Sequence, residues 1–105
     1  MKILTEGHIY ELKDFEGEGT QSISFIKKEI DPTAPEGSGI LKTVTNGTTN
    51  EEVFAVLIDR LQFLNTKFPC RENSIVITKL EEALMWLNKR TADRIIRGVE
   101  GKQIK

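Results

Sequence analysis

The residues that build most small catalytic and metal sites are scarce in this 105-residue chain, which has one cysteine, Cys70, and one histidine, His8. A lone cysteine excludes an internal disulfide framework and a zinc site built on cysteines. His8 is far in sequence from Cys70, so neither a Ser-His-Asp nor a Cys-His arrangement is at hand. The glycines form no phosphate loop followed by Lys-Ser/Thr. Glu81 and Glu82 are neighbours on a helix and point about 100° apart, so they do not converge as an acid/base pair. No run is long and apolar enough to span a bilayer, and no signal-peptide core stands at the start. The formal net charge is only -1, without the basic excess of a protein that coats long nucleic acid. These absences point to a binding protein with no catalysis, no metal and no cofactor.

What is present is uneven. Residues 1–59 carry 5 basic and 11 acidic groups, residues 60–85 carry 4 and 3, and residues 86–105 carry 6 and 2. Positive charge therefore gathers at the end of the chain. A basic helix terminus that complements the helix dipole would give the same bias.

The chain reads as α+β: a small N-terminal antiparallel β-sheet (residues 1–47) followed by a long antiparallel two-helix hairpin (residues 48–105). Together they form one domain. His8–Phe15, Thr20–Ile30 and Ile40–Thr45 are strand candidates, with His8 on an edge strand. Glu16-Gly-Glu-Gly and Asn46-Gly47 are turns, and Asp31–Gly39, with two prolines and two glycines, is a loop. Thr49-Asn-Glu-Glu52 is a capping box that opens the first helix. That helix runs through Val53, Val56, Leu57, Leu61, Leu64 and Phe68, and Pro69 stops it. Cys70 reads as a small packed residue at the junction. The second helix is expected over Ser74–Arg97, with Asn73 or Ser74 as its cap and Gly98 just past its end. At roughly 25 residues it would be about 37 Å long, more than the diameter of a compact domain of this size, which favours packing on a second copy.

On this second helix, Ile77, Leu80, Leu84, Leu87, Thr91 and Ile95 form a core seam. Lys79, Ala83, Trp86, Arg90, Arg94 and Arg97 form a second stripe about a quarter turn away. Arg offers a planar fork that can grip a phosphate bidentately or stack on a base. Arg90 and Arg94 are one turn apart and so can reach the same anion. Phe63 or Trp86 could stack on a purine, although core packing would also explain both. Arg71, Glu72 and Asn73 open the helix where free N–H groups favour anions.

The segments Phe68-Pro-Cys-Arg-Glu-Asn, Ile77-Thr-Lys-Leu-Glu-Glu-Ala-Leu-Met-Trp-Leu-Asn-Lys-Arg-Thr-Ala-Asp-Arg and Arg97-Gly-Val-Glu-Gly closely resemble a phage hairpin domain. Two groups of immune-signal sponges share it, one antagonising Thoeris defence and the other CBASS defence. Asp14-Phe-Glu-Gly and Asn46-Gly-Thr-Thr-Asn-Glu-Glu are similar to the first-described Thoeris anti-defence family. The resemblance implies a non-catalytic protein that sequesters a cyclic ADP-ribose isomer made by a host TIR-domain protein, so that the effector is not triggered. It implies a homo-oligomer, dimer or hexamer, with the pocket between protomers. Separate pockets for cyclic di- and trinucleotides are implied for some members. Location in the cytoplasm of the infected bacterial host follows from the same resemblance. The matching positions are Phe63 for stacking on adenine, Asn73 for hydrogen bonding, and Arg90 and Arg94 for the pyrophosphate. Arg71 and Arg97 are weaker candidates, for a second nucleotide pocket. The alternative is an oligomeric phage adaptor that contacts protein or DNA through the basic segment 90–105.

Overall fold

The structure is a computed structural model that describes residues 1–104. The chain folds as two compact units, Met1–Thr49 with Gly101–Ile104, and Asn50–Glu100.

The first unit is made of strands. β1 (Lys2–Thr5), β2 (Ile9–Lys13) and β3 (Thr20–Ser24) form an antiparallel sheet in that order, and β4 (Lys27–Ile30) and β5 (Leu41–Thr45) form a second antiparallel pair. Two details depart from the sequence reading. β1 is an additional short strand, and His8 lies in the turn after it, with its N–H donating to the Thr5 carbonyl at 3.0 Å. The run Thr20–Ile30 breaks into two strands at Phe25–Ile26, so one expected sheet becomes two.

At the break Thr48 is bonded into the run, and Gly47 before it makes a close approach. Thr48 donates to the Ser24 carbonyl (2.8 Å), and Ile26 donates to the Thr48 carbonyl (2.9 Å). A Cβ on Gly47 would stand 2.5 Å from the Ser24 oxygen, 2.6 Å from the Phe25 carbonyl carbon and 2.8 Å from the Ile26 nitrogen. Only glycine lets the chain pass there. Tyr10 and Phe25 meet edge to face nearby, with centroids 5.9 Å apart. The 31–39 loop opens with Asp31, which accepts from the Thr33 amide (2.9 Å) and hydroxyl (2.7 Å). These two bonds hold the Asp31 carboxyl below the usual carboxylate range. The tail joins this unit: Leu41 donates to the Gly101 carbonyl (3.1 Å) and Gln103 to the Gly39 carbonyl (2.7 Å).

The second unit is the hairpin of α1 (Asn50–Lys67) and α2 (Arg71–Ile96). α1 carries Glu51 and Glu52 in its first turn, Lys67 in its last, and ends two residues before Pro69. α2 begins three residues earlier than its composition suggests. Its N-cap is Cys70, in extended backbone, whose Sγ accepts from the Asn73 amide at 3.4 Å. Cys70 is thus an exposed cap and not a packed residue. Asn65 ties the bend by accepting from the Cys70 amide (3.0 Å) and donating to the Ser74 hydroxyl (3.1 Å).

The two helices face each other along half-buried positions. Among them are Phe54, Ile58, Leu61, Leu64 and Asn65 on α1, and Asn73, Ile77, Leu80, Leu84, Leu87 and Thr91 on α2, a series that the buried Arg94 continues. Steps of four and three alternate through the whole α2 series, the 3.5-residue repeat of antiparallel coiled helices. That repeat places Arg94, seven residues after Leu87, on the seam. Ile95, which the sequence assigns there, is 62% exposed. Among the described residues no apolar side chain is fully buried.

Candidate functional site

The basic stripe read from the sequence divides in the folded hairpin. Lys79, Trp86, Arg90 and Arg97 are exposed, Ala83 is half-buried, and Arg94 is the one buried residue among those described, at 6% exposure. Lys79 pairs loosely with Glu82 (3.8 Å), and Lys89 pairs with Asp93 (2.9 Å).

Arg94 owes its position to the helix end. Arg97 is the C-cap and Gly98 follows with a φ of 71°, a left-handed residue that glycine adopts without steric cost. Gly98 donates to the Ile95 carbonyl (3.0 Å) and Val99 to the Arg94 carbonyl (3.0 Å), the paired bonds of a Schellman motif. The motif folds the chain back over Arg94. The guanidinium Nη2 donates to the Val99 carbonyl at 2.8 Å, and Nε donates to the Glu100 carboxylate at 3.3 Å. Arg90, one turn earlier, stands open on the surface.

The other candidates sit at the bend. Phe63 is on the outer face of α1, 53% exposed, with the Lys67 ammonium 4.7 Å from its ring centroid. It lines a shallow groove of about 480 Å³ with Glu52, Val56, Asp59 and Arg60. Asn73 is half-buried on the first turn of α2. Arg71 heads that helix beside Ser74, Ile75, Thr78 and Lys79, which line a groove of about 360 Å³. Trp86, for which core packing was a plain reading of the sequence, is 63% exposed, and Phe63 is likewise outside the core. The helix period alone does not reveal this, because either face of a two-helix hairpin can carry aromatics.

Within one chain the candidates lie in two separate groups. From Asn73 to Arg90 is 17 helical residues, about 25 Å along the axis, and to Arg94 it is 21, about 31 Å. No small cyclic nucleotide bridges that span. The bend offers an aromatic face and an amide, and the far end of α2 offers guanidinium groups. Arg71 adds a guanidinium at the bend, and the exposed Trp86 adds an aromatic one turn before Arg90. Among the described residues no cluster of His, Cys, Asp or Glu could hold a metal, and no helix is long and apolar enough to cross a membrane.

The family model described as "Acb2/Tad1, hairpin domain" matches residues 27–92. Thoeris anti-defense 1 of Bacillus phage SBSphiJ7 is 48% identical over 91 residues, which cover 86% of this chain and 56% of that relative. The chain thus spans a little over half the length of the relative it matches.

Proposed function

The chain belongs to the Acb2/Tad1 hairpin-domain family, and from that premise we propose that it is a phage Thoeris anti-defence protein which sequesters a cyclic ADP-ribose isomer. It acts by binding alone, in the cytoplasm of the infected host. The observation that carries the reading is the division of the candidate residues into two groups at opposite ends of α2. In this reading the base goes to Phe63 at the bend and the pyrophosphate to Arg90 and Arg94 at the far end. An antiparallel second copy would set the bend of one hairpin against the Arg-bearing end of its partner and so complete the pocket.

In that pocket Phe63 stacks on the adenine, worth roughly 1–3 kcal/mol. Asn73 hydrogen-bonds the ligand, and Arg90 and Arg94 hold the pyrophosphate in charge-assisted bonds. Arg71 and Arg97 are left for a second pocket that takes cyclic di- or trinucleotides. Self-association is supported by the surface of the single chain. Among the described residues no apolar side chain is fully buried, and Val56, Phe63, Met85, Trp86 and Ile96 are all more than half exposed, so the hairpin leaves apolar surface for a second copy to cover. Capture without chemistry suits a site with no nucleophile, base or metal cluster among its proposed residues: it needs tight binding and slow release.

The test is calorimetric titration with a cyclic ADP-ribose isomer, followed by heating and chromatography of the released ligand. Tight binding with intact ligand recovered is expected. Recovery of a cleaved product would make the protein an enzyme. Silence toward that ligand and toward cyclic di- and trinucleotides would leave the adaptor role of segment 90–105. Sedimentation is expected to show a stable oligomer at micromolar concentration; a monomer would remove the shared pocket.

A further inference from the structure

The same arginine that is proposed to grip phosphate is already gripped. Arg94 has 7% of its side chain exposed, its Nη2 on the Val99 carbonyl and its Nε facing the Glu100 carboxylate. Val99 and Glu100, which the Schellman turn brings back to the helix end, both bond to it. An anion that takes the Nε and Nη2 donors must displace Glu100 and the Val99 carbonyl. Glu100, by contrast, is 42% exposed in its side chain, and among the described residues its carboxylate pairs with Arg94 alone. It is the movable partner of the pair.

We infer that Glu100 sets the affinity of the Arg94 half-site: its carboxylate stands where a ligand phosphate would stand, and capture of the ligand displaces Glu100 together with the turn that carries it. The inference rests on the proposed role of Arg94 in binding. Its chemistry is an exchange of anions on one fork. A carboxylate and a phosphate oxygen accept the same N–H donors in the same plane. A bound pyrophosphate brings more charge and also meets Arg90, which the carboxylate of Glu100 does not satisfy. Ligands with a single weak negative charge gain little from the exchange and are excluded. Glu100 therefore weakens binding of every anion somewhat, and does so most for the poorest ones. Glu100 is a positioning and selectivity residue; it does not itself need to touch the ligand.

The experiment uses the full chain and two probes, a cyclic ADP-ribose isomer and inorganic pyrophosphate. Glu100→Gln keeps the shape of the side chain and removes its charge. It is expected to tighten binding of both probes by about fivefold, the scale of a partly exposed ion pair. In the wild-type protein, hydrogen exchange at the amides of Gly98 and Val99 is expected to rise when the cyclic ADP-ribose isomer is added, since their bonds to the Ile95 and Arg94 carbonyls open with the turn. Unchanged or weaker binding by Glu100→Gln, or slower exchange of those amides on ligand addition, would overturn the inference and make Glu100 a fixed support. Should the variant not fold, the exchange measurement on the wild-type protein decides alone. Failure of the wild-type protein to bind the cyclic ADP-ribose isomer at all would count against the proposed function, and against this inference with it.

Discussion

Gly47 provides the sharpest structural test. Its backbone is not left-handed, so the usual conformational reason for a glycine does not apply to it. The reason is space. A methyl group there would meet the Ser24 oxygen, the Phe25 carbonyl carbon and the Ile26 nitrogen at 2.5, 2.6 and 2.8 Å. All three are backbone atoms, which cannot swing aside as a side chain would. Gly47→Ala must therefore push apart the segments joined by the Thr48–Ser24 and Ile26–Thr48 bonds. Two weakened backbone bonds are worth about 1 kcal/mol each. Forced backbone shifts from overpacking add about 1–3 kcal/mol. Alanine restricts the unfolded chain and returns roughly 0.4–1 kcal/mol. The expected net loss is about 2–4 kcal/mol, a large part of the stability of a typical small domain. Urea denaturation followed by circular dichroism reads it, at one fixed protein concentration because self-association shifts the midpoint. The control is Gly37→Ala, where φ is 78° and nothing lies within 4 Å; left-handed strain alone costs about 1–2 kcal/mol there. Exchange of the Ile26 and Thr48 amides should quicken in the Gly47 variant and not in the control. A Gly47→Ala variant within 0.5 kcal/mol of the parent, or one more stable than Gly37→Ala, would refute the steric account.

Arg90→Ala and Arg94→Ala should separate binding from stability. Both are expected to lose capture of the cyclic ADP-ribose isomer, but only the Arg94 variant, which strips the Val99 carbonyl of a charge-assisted bond, should also lose about 1.5–3 kcal/mol of stability; equal melting temperatures for the two would contradict the buried role. Cys70→Asp should stabilise the hairpin by up to about 1 kcal/mol, because a carboxylate is a far better N-cap acceptor than a thiol and also suits the helix dipole; thermal melting checks the sign. Asp31, with its folded pKa depressed by the Thr33 bonds, contributes stability that is present above the ordinary carboxylate pKa and lost as pH falls through the lowered value. Carboxyl NMR titration of Asp31 should show a midpoint below that of a free aspartate, and Thr33→Ala should raise it.

Much of the hairpin can be read in the chain because its signals are local. Pro69 bars the helix from continuing, Gly98 supplies a left-handed residue just past the end, and the apolar spacing from Ile77 to Thr91 fixes which face of α2 turns inward. The bend was less legible. Cysteine is a rare cap, so the sequence favours Asn73 or Ser74, and only the bond from Asn73 to the Cys70 sulfur shows where the helix begins. The break in the Thr20–Ile30 run was not legible at all. Its β-branched and aromatic composition is that of one unbroken strand, and the interruption comes from Thr48, more than twenty residues downstream.

The candidate site divides along the same line. Residue type by itself determined that the chain carries guanidinium groups and aromatics, since chemistry belongs to the side chain wherever it lies. Periodicity determined that Arg90 and Arg94 share one helix end, because a helix fixes its neighbours at three and four residues. Tertiary structure decided the rest. A drift from the 3.6-residue turn to the 3.5-residue repeat of two packed helices moved Arg94 onto the seam and Ile95 off it. The Schellman turn then laid Val99 and Glu100 over the arginine. Neither follows from the local spacing, because both depend on what a facing helix and a returning chain bring into contact.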